Sequence, residues 1–150
     1  MTASALRTGH VGLNVTDLGR SIGFYRQVFG FEVLGEQADG DRRYAFLGLD
    51  GTLVVTLWQQ SDGRFPVDRP GLHHLAFLVP DAEAVKRAET ILRSLGADLT
   101  HDGIVPHGED ASSGGLFFTD PDGIRLEIYA PAVAATAPAP VPGAPTCGFF

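Results

Sequence analysis

A chain of 150 residues, 44% of them hydrophobic, is long enough to bury a domain-sized core. Eleven basic against eighteen acidic side chains leave a net charge of −7, which argues against a nucleic-acid partner and against an anionic membrane surface. The start, MTASALRTGH, lacks the apolar core of a secretory signal, no run is long enough to cross a bilayer, and the lone Cys147 leaves no internal disulfide, so a soluble α+β protein of the reducing cytoplasm is expected.

In chain order, HVGLNVTD (10–17) alternates apolar and polar residues like a strand and ends on Asp17, a natural helix N-cap. LGRSIGFYRQVFG then places Ile22, Tyr25, Val28 and Phe29 at helical spacing and closes on Gly30, a C-terminal cap. Three strand-like runs follow, FEVLGE, RRYAFLGL and TLVVTLWQ, the last two joined by the turn LDGT. In LHHLAFLVPD (72–81) an apolar run opens on two adjacent histidines. Alternation along a strand predicts that His73 and His74 point to opposite faces, so at most one can serve a site on that sheet. Asp81 is the second N-cap, before AEAVKRAETILRSLG with Val85, Ala88, Ile91, Leu92 and Leu95 on one stripe and Gly96 at its end. ADLTHDG, GLFFTD and IRLEIYA read as three further strands, with the turn DPDG before the last.

From Pro131 the chain becomes almost wholly Ala, Pro, Val, Gly and Thr, a composition that forbids a regular helix and predicts an extended tail over 131–150, so the domain proper spans 1–130. The tail ends on Phe149 and Phe150, two aromatics expected to dock onto apolar surface rather than stay in water.

The two halves repeat. HVGLNVTD aligns with HLAFLVPD (74–81): both begin with His, reach Asp at the same distance, and lead into a helix and three strands. Each half thus reads as a βαβββ module, about 8–60 and 71–130, and the repeat selects His74, not His73, as the partner of His10. The module ends also align, LVVTLW (53–58) over IRLEIY (124–129), which sets Trp58 against Tyr129 and Thr56 against Glu127. Alternation puts Arg125, Glu127 and Tyr129 on one strand face. Four positions are therefore equivalent, His10, Thr56, His74 and Glu127, and three of them carry metal-binding side chains. Singly, each has an ordinary explanation: a surface His, a Glu paired with an arginine, core aromatics at Tyr44, Phe46, Trp58 and Tyr129. Their coincidence at repeated positions is what points to a site. His101 carries no functional expectation, and His107 in VPHGEDASSGG is either an ordinary loop residue or one that flanks a substrate.

Paired βαβββ modules carrying HVGLNVTDLGRSIGFYRQVFGF, HHLAFLVPD and FTDPDGIRLEIYAP resemble the vicinal oxygen chelate superfamily, which includes glyoxalase I, extradiol ring-cleaving dioxygenases, fosfomycin-resistance thiol transferases and bleomycin-binding proteins. The resemblance covers residues 8–130. It implies curled mixed sheets with the helices outside, metal ligands at His10, His74 and Glu127, and a homodimer in which His10 of one chain meets His74 and Glu127 of the other. Two imidazoles and one carboxylate form a facial triad with open positions, suited to Fe(II) or Mn(II), with Zn, Ni or Co as alternatives. Asn14, Tyr44, Phe46, Thr56, Trp58 and Tyr129 are the expected substrate-lining residues, and His107 is the candidate catalytic acid or base. Glyoxalase-type members carry a carboxylate or similar ligand where this chain has Thr56, and a threonine hydroxyl is a poor proton acceptor near neutral pH. The loop from Val105 to Gly115 also lacks a Lys or Arg for a phosphonate anion. The expected activity is therefore a metal-dependent, extradiol-type dioxygenase acting on a small oxygenated molecule. The alternatives are a glyoxalase-like lyase or isomerase, and a metal-free antibiotic-binding resistance protein for which Glu109 and Asp110 would suit a cationic drug.

Overall fold

The computed structural model describes residues 5–150. It divides into two units, 1–63 and 64–150, each with a four-stranded mixed sheet and one long helix.

In the first unit, β1 (Val11–Val15) leads through α1 (Leu18–Phe29) to β2 (Glu32–Gln37), β3 (Tyr44–Leu49) and β4 (Thr52–Gln59), in the sheet order β1-β4-β3-β2. β1 runs parallel to β4, and the other pairs are antiparallel. The helix begins where Asp17 accepts a hydrogen bond from the Arg20 amide, and it ends at Gly30, whose left-handed backbone (φ 71°) lets its N–H reach the Arg26 carbonyl. Period-two alternation sorts the sheet. Leu13, Val15, Ala45, Leu47, Val55 and Leu57 are buried, as are Leu18, Ile22, Tyr25 and Val28 of α1, whose nearest strands are β4 and β3. Burying each such aliphatic side chain contributes roughly 1.5–3 kcal/mol. The β3–β4 hairpin turns on Asp50 and Gly51, both with positive φ (49° and 74°), as a two-residue hairpin loop with matching twist requires.

The second unit repeats this plan. β5 (Leu75–Leu78) leads through α2 (Ala82–Ser94) to β6 (Val105–Pro106), β7 (Gly114–Thr119) and β8 (Arg125–Ala130), in the order β5-β8-β7-β6. β5 is parallel to β8, and β7 is antiparallel to it. Asp81 caps α2 by accepting from the Ala84 amide. At the other end Gly96 takes a left-handed conformation (φ 65°), and the Ala97 and Gly96 amides fold back to the Leu92 and Arg93 carbonyls. Val85, Ala88 and Leu92 are buried, as are Leu116, Phe118, Leu126 and Ile128 of β7 and β8. Leu95, expected on that stripe, instead forms the helix end and is 38% exposed. The equivalence of the modules is visible in the register: β1 pairs Gly12 with Thr56, and β5 pairs Ala76 with Glu127.

One expected strand is not regular. ADLTHDG contributes only an isolated bridge, Leu99 with Phe118, and the outer strand falls instead at Val105–Pro106, next to Gly114 and Gly115. A Cβ at Gly115 would stand 2.0 Å from the Ile128 carbonyl oxygen, so only glycine allows β7 to approach β8 there. Proline is tolerated in β6 because the His107 amide, not that of residue 106, donates across to β7, at the Ser113 carbonyl.

The Pro-rich tail runs against the second unit. The Val133 amide donates to the Ser112 carbonyl and the Thr136 amide to the Ile104 carbonyl, both at 2.9 Å. Thr146, fully buried at the start of a single 3-10 turn (Thr146–Gly148), donates from its amide to the His107 carbonyl and from its hydroxyl to the Pro106 carbonyl. Among the described residues no helix is long and apolar enough to cross a membrane.

Candidate functional site

Glu127 lies at the middle of β8, flanked by β5 and β7, with its side chain on the sheet face away from α2 and only 2% exposed. A carboxylate so buried requires partners, and two imidazoles supply them. His107 follows the short strand β6, where its amide donates to the Ser113 carbonyl at 3.0 Å and closes the intervening loop. Its ring places Nε2 at 2.5 Å from Glu127 Oε1 and Nδ1 at 2.9 Å from the Ser113 hydroxyl. Because a carboxylate only accepts, Nε2–H donates to Glu127, and in the neutral ring Nδ1 accepts from Ser113. His74 stands one residue before β5, with Nε2 at 3.4 Å from Glu127 Oε2. Both carboxylate oxygens thus face an imidazole nitrogen.

The expectation for His73 is corrected here. His73 and His74 do not diverge: their Nδ1 atoms are 2.8 Å apart and their rings meet edge to face at 5.1 Å. The ladder begins only at Leu75, so strand alternation does not govern either histidine. One Nδ1–H donates to the other ring, which leaves His74 Nε2 free to face Glu127. Burial is the main cause that lowers the His74 pKa from its ordinary 6.5, with His73 and Arg125 acting in the same direction and Glu127 opposing them. The net effect favours the neutral imidazole, the form able to bind a metal.

Phe117 pairs with Glu127 across β7 and β8, and its ring lies 6.4 Å from His107. Tyr129, on the same face, meets the His107 ring at 5.0 Å. The second unit therefore brings together His74, His107, Glu127 and Tyr129 of the expected site residues. Phe117 and Ser113 join them without having been singled out, and His73 joins them against expectation, although the alternation of GLFFTD against IRLEIYA carried a signal for Phe117.

The remaining expected residues belong to the first unit. His10 is exposed, one residue before β1, as His74 is one residue before β5. Thr56 is 2% exposed and accepts a 2.9 Å hydrogen bond from Trp58 Nε1. Tyr44, Phe46 and Trp58 form an aromatic cluster with ring centroids 5.1 to 6.1 Å apart. Asn14 lies on the same face, opposite Trp58, and its side-chain oxygen accepts from the Gln60 amide at 2.9 Å, so it also ties down the end of β4. Among the described residues no three His, Cys, Asp or Glu side chains are placed to hold a metal within one chain. The donors at Glu127, imidazole nitrogen and carboxylate oxygen, are nevertheless of the type that suits a first-row divalent metal.

Residues 7–128 match the family model of the Glyoxalase/Bleomycin resistance protein/Dioxygenase superfamily, and the chain belongs to that family. It is 33% identical over 125 residues to the catechol-2,3-dioxygenase of Bacillus subtilis (strain 168), a match covering 81% of this chain and 40% of the relative. It is 27% identical over 133 residues to the manganese-dependent 2,3-dihydroxybiphenyl 1,2-dioxygenase of Geobacillus genomosp. 3, covering 86% of this chain and 38% of that one. The chain thus spans about two fifths of the length of these two relatives. Among solved structures, the glyoxylase/bleomycin resistance protein/dioxygenase domain from Frankia sp. EAN1pec superposes with a TM-score of 0.71 at 29% identity, over 85% of this chain and 93% of that one.

Proposed function

We propose that the protein is a divalent-metal-dependent dioxygenase of the extradiol type, acting on a small molecule that presents two adjacent oxygens. The observation that carries this reading is the convergence of two imidazole Nε2 atoms, from His74 and His107, on the buried carboxylate of Glu127. Similarity to two relatives named as dioxygenases, one of them as manganese-dependent, supports the same reading, and the mixed nitrogen and oxygen donor set suits Fe(II) or Mn(II).

In this account His74 and Glu127 are two ligands and His10 is the third. The third ligand in this account is supplied by a second copy, as the resemblance to the vicinal oxygen chelate superfamily implies. Among the described residues β1 and β5 each stand at the edge of their sheet, which gives two copies a physical reason to associate. When bound, the metal would supply Lewis-acid activation of the substrate oxygens and of dioxygen. His107 acts as acid and base from Nε2, with its ring held at Nδ1 by Ser113 and its Nε2–H directed to Glu127 Oε1. Tyr129 and Phe117 give the face an apolar wall suited to a flat ring. Both oxygen atoms of dioxygen enter the ring-opened product, so no external reductant is required.

The test loads the protein anaerobically with Fe(II) or Mn(II), adds catechols, and then admits oxygen. Oxygen uptake matched by ring-cleaved product, and abolished in His74→Ala and Glu127→Ala, is the expected result. Turnover without oxygen uptake contradicts the dioxygenase reading and favours a lyase or isomerase. Tight binding of a cationic antibiotic by metal-free protein, without turnover, favours the sequestering reading.

A further inference from the structure

The last residue of the chain lies over the candidate site. The Phe150 ring is 5.4 Å from the His74 ring and 6.1 Å from that of His73. It meets Phe117 edge to face at 5.3 Å, and the Arg125 guanidinium sits 5.5 Å from its centre. These neighbours come from β7, from β8 and from the residues before β5, and Glu127 lies on the central one of those strands. An aromatic edge on one side, a cation against the ring face and imidazoles on another side together form a slot for a flat ring.

The tail is fastened up to that point. Thr146 is buried and hydrogen-bonded to Pro106 and His107, the Phe149 amide donates to the Thr146 carbonyl, and the Phe149 backbone hydrogen-bonds the His101 ring. The Phe149 side chain is 47% exposed. Rotation about the side-chain bonds of Phe150 would carry its ring out of the slot while these anchors stay in place.

We propose that the slot formed by His74, Phe117 and Arg125 is a binding subsite for the planar ring of an aromatic ligand, and that Phe150 is a resident plug that such a ring displaces. The subsite deepens the functional reading above and rests on it only for what happens to the ring once bound. A ligand meets a slot that is open for a fraction of the time, and its apparent affinity is reduced by that fraction.

The test uses the full-length, metal-free protein with phenol as probe and cyclohexanol as its non-aromatic counterpart, with binding followed by NMR titration. Phe150→Ala should bind phenol about tenfold more tightly than the parent chain, and Phe149→Ala should match the parent. Cyclohexanol should bind more weakly than phenol to every form, because it offers no π face to Arg125. In the parent protein, added phenol should shift the Phe150 ring resonances towards those of a solvent-exposed ring. Equal or weaker phenol binding by Phe150→Ala would overturn the proposal, since Phe150 would then be a bystander or a wall of the site. Phenol lacks a second oxygen and the assay contains neither metal nor oxygen. Failure of the dioxygenase reading would therefore appear in oxygen uptake alone and leave this result standing.

Discussion

The two units share one topology and one register yet present opposite chemistry on equivalent faces. In the first, Thr56 holds Trp58 by a hydrogen bond beside Tyr44 and Phe46, so the face is aromatic and its polar atoms are satisfied internally. In the second, Glu127 occupies the equivalent place with His74 and His107 against it. A duplicated fold thus allows one copy to carry ionisable groups while the other supplies apolar surface. The substitution that separates them is small, a hydroxyl against a carboxylate at the centre of the last strand. Its consequence is large because a buried carboxylate recruits partners that a buried hydroxyl does not need.

The comparison breaks most severely at His107. Under the proposed function, His107→Ala should lower kcat by roughly 10²–10⁴-fold, the range for loss of a positioned acid–base group. Ser113→Ala, which only frees the ring to turn, should cost about 10-fold, with metal content unchanged. Steady-state oxygen uptake on both variants checks the ranking, and equal losses would remove the distinction between the acting residue and the one that positions it.

At Thr56 the first unit should respond in stability rather than in metal binding. Thr56→Val leaves Nε1 of the half-buried Trp58 without its acceptor, and should destabilise the protein by about 1–2 kcal/mol. Urea denaturation measures that cost. An unchanged midpoint would show that the bond contributes nothing net.

The smallest effect concerns pH. Burial lowers the His101 pKa from its ordinary 6.5, partly offset by the Phe149 backbone, and His101 Nε2 is buried with no hydrogen-bond partner. Between the depressed folded value and 6.5 the unfolded chain binds a proton that the folded chain does not, so stability is lost as pH falls through that window. The His74 shift has the same sign. His101→Phe should therefore show a smaller drop in melting temperature between pH 7.5 and 5.5 than the parent chain. An equal drop would assign the pH dependence elsewhere.

Much of this organisation was legible in the sequence, because it follows local rules. Asp17 and Asp81 begin their helices as N-caps should, Gly30 and Gly96 take the left-handed backbone that ends them, and alternation in IRLEIYA puts Glu127 on the face with Tyr129. What escaped depends on where a ladder starts or stops. His73 was expected on the far face because alternation was extended two residues beyond the first paired residue, Leu75. The strand expected over ADLTHDG yields to Val105–Pro106, since its own residues hold only one bridge to β7. The resting place of Phe150 could not be read from the tail at all. Composition predicts that a terminal aromatic will seek apolar surface, but the slot arises from residues far apart in sequence.

The central claim is that the second unit's carboxylate, together with the histidines that begin the two modules, holds a metal. Metal stoichiometry of freshly purified protein tests it directly, on the parent chain and on His10→Ala, His74→Ala, Glu127→Ala and Thr56→Val. The account predicts about one divalent metal per chain in the parent and in Thr56→Val, and loss of that metal in each of the other three. Full metal content in Glu127→Ala, or a parent chain that takes up none from an Fe(II) or Mn(II) solution, would contradict it.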